Sequence, residues 1–276
     1  MRVFSNCHTH TIFSDGRATA EEMVLAALER GMRSLGFSDH SVQTFDQYYT
    51  MSPESERESF LEIQRLRDQY GEKIRIWHGV EQDTHGIVRR EEYDYILLAQ
   101  HYVEKGEMRC PVDSRPRREE LFQFRDSVYG GDGAQMAADY FFLAGEAARV
   151  VRPDIFAHFD VIRVFNREGE LYDARDARVL QAEEEALKKI AASGSMLELN
   201  TGGVARGYLS EPYPEWDFLP LWKEMGGRLI FGSDSHVPQF LQYDFDRCAM
   251  RLREMGFRSV WELGGPGEAL FVEREL

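Results

Sequence analysis

Short apolar runs and longer amphipathic stretches alternate along most of the chain. The apolar runs predict strands at Val3–His8, Ser34–Phe37, Lys73–Val80, Tyr93–Ala99, Ile155–His158, Ser195–Leu199 and Arg228–Phe231. Between the first two, Thr19-Ala20-Glu21-Glu22 has the form of a capping box and opens a helix that closes near Gly31. Ser52-Pro53 opens another, with proline at the first helical position, and it ends before Gly71. Ala134–Val150 and Ala177–Ser193 are helical stretches long enough to cross over a sheet. Strand followed by helix, repeated without a linker-like segment, predicts one parallel α/β domain over residues 1–276. The stretch from Gly106 to Gly133, rich in Arg, Asp and Gly, shows no clear period and reads as loop.

Composition narrows the function classes. With 43% hydrophobic residues in 276, the chain can bury a real core, which excludes a disordered or fibrous protein. Its 48 acidic and 33 basic residues give a formal charge of −15, against holding nucleic acid by phosphate neutralisation. A small phosphate ester gripped by a few arginines stays open, and the basic residues are mostly Arg. Cys7, Cys110 and Cys248 are widely spaced, so a disulfide framework is not expected and a reducing cytoplasm is. The first residues show no charged leader with an apolar run, and no stretch approaches the roughly 18 apolar residues of a membrane span. A soluble cytoplasmic protein with no membrane partner is the expectation.

The candidate chemistry lies where His, Asp and Glu fall. His8 and His10 end the first predicted strand, and Asp15 follows in Ser14-Asp15-Gly16. His40 follows the second strand, Glu81 the third, His101 the fourth and His158 the fifth, while Asp234 and His236 follow the last. In a barrel of parallel strands, the carboxyl ends converge on the mouth where active sites are built. Imidazole and carboxylate together suit Zn, Mn or Fe(II), whereas Mg alone prefers oxygen. Six histidines and three carboxylates exceed what one tetrahedral ion can use, so two or three ions are implied, with a shared carboxylate. His8 and His10 are two apart on a strand and face one side; Cys7 is then a small packing residue on the other. His78 lies three before Glu81 and points away on a regular strand, and His85 sits in a loop.

His8-Thr9-His10, Ser38-Asp39-His40, the Glu81 region, His101, Ala157-His158 and Gly232-Ser233-Asp234-Ser235-His236 resemble, in order, the motifs of the polymerase and histidinol phosphatase (PHP) superfamily. The resemblance covers nearly the whole chain. It implies a distorted seven-stranded, TIM-like (β/α) barrel with a trinuclear metal site at the carboxyl ends of the strands. It further implies that His8, His10, Glu81 and Asp234 hold one ion, that Glu81 bridges to a second held by His101 and His158, and that Asp15, His40 and His236 hold the third. Asp160-Val161-Ile162-Arg163, and Leu197 to Gly203 with Arg206 and Glu211-Pro212-Tyr213-Pro214, resemble the histidinol-phosphatase branch. That implies hydrolysis of L-histidinol phosphate, with Arg163 and Arg206 on the phosphate and Glu81, Asp234 and His236 in catalysis. A PHP-type nucleotidase or phosphodiesterase acting on another small phosphate ester is the alternative, ahead of a non-catalytic metal-binding module.

Overall fold

The structure, a computed structural model, describes residues 3–276. Strands β1 (Ser34–Phe37), β2 (Arg75–Asp83) and β3 (Tyr95–Ala99) begin the main sheet. A separate hairpin, β4 (Tyr102–Lys105) and β5 (Met108–Pro111), follows. The main sheet continues through β6 (Ile155–Phe156), β7 (Met196–Asn200), β8 (Leu229–Gly232), β9 (Ser259–Leu263) and β10 (Phe271–Glu275). From β1 to β9 every neighbouring pair in this sheet is parallel; β10 runs antiparallel at its edge. The helices are α1 (Ala20–Glu29), α2 (Pro53–Tyr70), α3 (Arg118–Val128), α4 (Gly133–Val151), α5 (Ala177–Ser193), α6 (Gly202–Ala205), α7 (Leu219–Glu224) and α8 (Phe245–Glu254).

The local signals explain the starts. Thr19 accepts from the Glu22 N–H while the Glu22 carboxylate accepts from the Thr19 N–H, so α1 opens on a complete capping box. Ser52 and Ser55 form the same reciprocal pair across the first turn, with Pro53 as the first helical residue. Asp132 caps α4, which accounts for the Gly130–Gly133 run as a turn into a helix.

Two segments depart from the sequence reading. Val3–His8 is extended but is not a ladder strand; its one isolated bridge pairs Thr9 with Ser235. Side chains take the place of the ladder: Asn6 Oδ1 accepts from the N–H of His8 and of Ser233, and Ser5 Oγ accepts from the Leu263 N–H. The segment still joins β1 to β8 across the curled sheet. Gly36 N–H donates to the Asn6 carbonyl at 2.8 Å on the β1 side, and Cys7 N–H to the Phe231 carbonyl at 3.4 Å on the β8 side. The second departure is residues 106–133, where β5 and α3 form instead of loop. Only Leu121 of α3 is buried, so the helix leaves too narrow an apolar stripe to register as a period.

Strand parity divides the interior. Trp77, Tyr95, Leu97, Ala99, Ile155, Met196 and Ile230 pack into one buried cluster together with Cys7. Leu98, Phe156, Leu197, Leu199 and Phe231, from the opposite faces of the same strands, pack with α4 and α5. Glu81 shares the parity of Trp77, and Glu198 that of Met196, so both carboxylates belong to the inner face. Cys7 is a packing residue as expected. It lies in the inner layer rather than on the outer face, because its segment is not a regular strand.

Candidate metal centre

All nine side chains singled out in the sequence converge. Ligand atoms of His10, Asp15, His40 and His236 lie within 4.8 Å of one another, as do those of His8, Glu81 and His158, of His8, His10 and Asp234, and of His40, Glu81 and His101. These overlapping sets make one cluster around Glu81, which is 1% exposed. His158 and Asp234 take positive φ, 21° and 49°, a backbone region that non-glycine residues occupy uncommonly. Asp15 is delivered by a tight turn in which a Cβ on Gly16 would fall 2.5 Å from the Thr11 nitrogen. Asp39 holds that turn, accepting from the Thr11 N–H and hydroxyl and from the Ser14 hydroxyl.

The donor separations test what the cluster can hold. Four donors around an ion at zinc-like distances lie about 3.3 Å apart. His8 Nε2 is 3.1 Å from His10 Nε2, 3.2 Å from Glu81 Oε2 and 3.7 Å from Asp234 Oδ1. His10 Nε2 is 3.3 Å from Glu81 Oε2 and 3.2 Å from Asp234 Oδ1. The other oxygen, Glu81 Oε1, is 2.9 Å from His158 Nε2 and 3.4 Å from His101 Nε2. Asp15 Oδ1 is 3.1 Å from His236 Nε2 and 3.7 Å from His40 Nε2.

The tautomers sharpen the point. Glu198 Oε1 faces His8 Nδ1 at 2.8 Å, and Asp83 Oδ2 faces His101 Nδ1 at 2.9 Å. Each pairing puts the ring proton on Nδ1 and turns the Nε2 lone pair into the cluster. Glu81 Oε2, His10 Nδ1 and Asp15 Oδ1 are buried without a hydrogen-bond partner. Lone pairs from imidazoles and carboxylates thus face one another at metal-donor spacing. Divalent cations fit this set, and Glu81, with its two oxygens in different groups, fits a bridge.

The charges agree. Burial would raise the Glu81 carboxyl, but His40, His8 and His101 hold it well below the carboxylate range. Burial likewise opposes ionisation of Asp234, and the Arg206 guanidinium together with His10, His8 and His236 outweighs it, holding the carboxyl well below the usual range. Burial, with His236 and His40 nearby, pushes His10 down to about 3, keeping it neutral and able to donate its lone pair to a metal.

The structure places the two arginines differently. Arg206, at the end of α6, donates from Nη2 to Asp234 Oδ2 at 2.7 Å and from Nη1 to the Asp234 carbonyl at 3.0 Å, at the edge of the cluster. Arg163 donates to Asp160 Oδ2 at 2.9 Å and to the Pro212 carbonyl at 2.6 Å. Its guanidinium lies over Tyr213, whose ring stands edge-on to His158.

His78 points away as expected, against Phe60 and Tyr93, and His85 pairs with Glu104 at the surface. Burial lowers His78 from 6.5 to about 3, with Arg67 adding to the effect. The unfolded chain therefore binds a proton below about pH 6.5 that the folded one refuses, and stability falls as pH drops through that window. His78→Phe should remove the effect, leaving the variant about 2 kcal/mol less acid-sensitive between pH 7.5 and 5. Denaturant unfolding of both proteins at the two pH values checks it.

Sequence reasoning missed Glu198 and Asp83. Glu198 is fully buried; besides His8 it accepts from the His158 N–H and from Asn200 Nδ2, both at 2.9 Å. A Cβ on Gly232 would come within 1.8 Å of Glu198 Oε1, so glycine there leaves room for this carboxylate. The parity of Glu198 with Met196 on an inward face was the available signal. Glu198→Gln should weaken metal binding by roughly 10–100-fold. Equilibrium titration with a competing chelator reads it directly.

Comparison with known proteins decides the family: the PHP domain model matches residues 6–202. The chain belongs to the PHP domain family. This PHP protein is 27% identical over 264 residues to a protein of Deinococcus radiodurans named "Probable histidinol-phosphatase", with 92% of this chain and 94% of the relative covered. It is 23% identical over 294 residues to a Schizosaccharomyces pombe protein of the same name, covering 99% and 94%. Among solved structures, a histidinol phosphate phosphatase of Lactococcus lactis, crystallised with zinc, L-histidinol and phosphate, superposes with a TM-score of 0.71 at 20% identity, covering 94% of this chain and 95% of that one. The PHP protein shares its α/β fold with a curled parallel sheet.

Proposed function

We propose that this PHP protein is a metal-dependent phosphomonoesterase that hydrolyses L-histidinol phosphate to L-histidinol and phosphate. The observation that carries the reading is the Glu81 cluster: two carboxylate oxygens, each among imidazole nitrogens at 2.9–3.4 Å, with Oε2 buried and left without a hydrogen-bond partner. The names of the curated relatives supply the substrate. The barrel is a distorted seven-stranded one spanning residues 1–276, closed by the N-terminal segment, with the nine side chains at the strand ends as ligands. Its compartment is a reducing cytoplasm, which suits three free, buried cysteines. Among the described residues no helix is long and apolar enough to cross a membrane.

His8, His10, Glu81 and Asp234 would hold one divalent ion, Glu81, His101 and His158 a second, and Asp15, His40 and His236 the third. Bound ions of this kind lower the pKa of water toward neutrality and neutralise charge developing on phosphoryl oxygens. The protein's own residues set the geometry. Glu198 and Asp83 orient His8 and His101. Arg206 presents a guanidinium beside Asp234, where it can donate to a non-reacting phosphate oxygen. Arg163 contributes the second such group by turning from the Pro212 carbonyl. Asp234 and His236, at the same edge, are placed to move protons between solvent and the reacting oxygens.

Removal of metal by chelation should abolish phosphate release, and return of Mn or Zn should restore it. Undiminished turnover in protein shown to be metal-free would overturn the reading.

A further inference from the structure

A cavity of about 960 Å³ opens between the 160–175 segment, α5 and residues 207–218. None of the nine metal-site side chains borders it. Five carboxylates do: Glu168 and Asp173 on the exposed rim, and, deeper, Asp160, Glu183 of α5 and Glu215. Asp160 is 1% exposed and Glu183 only 7%. The guanidinium of Arg163 is spent on Asp160 Oδ2, which also accepts from the Glu215 N–H at 3.0 Å. Asp160 Oδ1 is buried and has no hydrogen-bond partner. A buried carboxylate oxygen without a partner is costly, and here it sits among further negative charge. Consistent with that excess, burial and the charges of Asp160 and Glu215 push the Glu183 carboxyl up to about 8. Arg167 and Arg175 also border the cavity, but both are on its exposed rim.

The walls decide which cation fits. A bare metal ion takes a tight shell of six or more oxygens for calcium or magnesium, whereas this space is far larger than an ion. Tyr172, Tyr208 and Phe218 line it, offering aromatic and apolar surface. Aromatic walls with carboxylates at depth suit a protonated amine on an aromatic or apolar body, held by charge-assisted hydrogen bonds and by ring faces. A volume of this size is ordinary for a small-molecule site.

We propose that this cavity is a binding site for a small organic amine, separate from the metal centre, with Asp160, Glu183 and Glu215 receiving the ammonium group. It does not depend on the identity of the phosphate ester hydrolysed at the metals.

The test is calorimetric titration of the metal-loaded protein with phenethylamine, an aromatic ammonium ion with little affinity for metals, and with 2-phenylethanol, its uncharged counterpart. The amine should bind at one site per chain and the alcohol at least about tenfold more weakly. Glu183→Gln and Glu215→Gln should each weaken amine binding by on the order of tenfold, and the double variant further, while phosphatase turnover stays at the parent level. Glu183→Gln replaces a buried carboxyl, pushed up to about 8 by burial and by Asp160 and Glu215, with an uncharged group of the same shape, so its thermal midpoint should be no lower than the parent's. Glu81→Ala, which damages the metal centre, should bind the amine as the parent does. No amine binding at millimolar concentration would overturn the proposal. So would parental affinity in the double variant, or loss of binding in Glu81→Ala with retention in Glu183→Gln.

Discussion

Glu81→Ala should bring phosphate release close to background and lower the metal content of the protein by more than one ion per chain. The expectation rests on one carboxylate serving two groups of ligands: Oε2 is about 3 Å from His8, His10 and His40 nitrogens, and Oε1 as close to His158. Removing it leaves five imidazoles facing one another without the negative charge that makes the cluster favourable for cations. Glu81→Gln keeps the volume but loses the charge and replaces one oxygen by an NH₂ donor, so it should resemble alanine in activity. Elemental analysis and turnover of the same preparations settle the matter. A Glu81→Ala protein with its full metal complement and its parental rate would show that the cluster is not organised around this residue.

Arg206→Ala should lower both kcat and kcat/KM on histidinol phosphate by on the order of 10²–10³, as losing one donor to a developing oxyanion does. Arg206→Lys should recover only part, because lysine offers a point charge where guanidinium offers two parallel donors. The structure adds a second way for Arg206 to act, through its bonds to the Asp234 carboxylate and carbonyl. The two routes separate by measurement. If Arg206 contacts phosphate, inhibition of the parent by free phosphate should weaken in Arg206→Ala at unchanged metal content. If it only holds Asp234, metal content falls, and phosphate inhibition recovers once metal is restored to saturation. Parental kcat/KM in Arg206→Ala would remove it from the site altogether.

The candidate site was legible because its chemistry is written at strand ends, and strand ends are set by short apolar runs that the chain marks clearly. Apart from Ser195–Leu199, each run from Ser34–Phe37 to Arg228–Phe231 is followed by a His, Asp or Glu that the structure gathers into the cluster. The surrounding carboxylates were harder to see. Glu198 and Asp83 are acidic residues inside or ending strands, and their roles depend on which imidazole lies across the barrel, a contact 190 residues away for Glu198 and His8. The N-terminal segment reads as a strand by its pattern, yet Ser5 and Asn6 satisfy the neighbouring backbone through their side chains. β9 and β10, with mixed charged and apolar residues, lie where the sheet edge is half exposed, so their pattern is weak. Arg163 shows the limit for functional side chains: the sequence places it near the mouth, and local pairing with Asp160 decides where its guanidinium rests.

The central claim is that this metal cluster hydrolyses histidinol phosphate. The most direct measurement is steady-state kcat/KM on L-histidinol phosphate beside a panel of nucleoside monophosphates and a phosphodiester, with metal content determined on the same sample. The account predicts two or three divalent ions per chain and a kcat/KM on histidinol phosphate at least about 100-fold above any nucleotide, a margin within reach of a few site-specific polar contacts. A metal-replete protein that prefers a nucleotide or the diester, or that hydrolyses none of them, would contradict it.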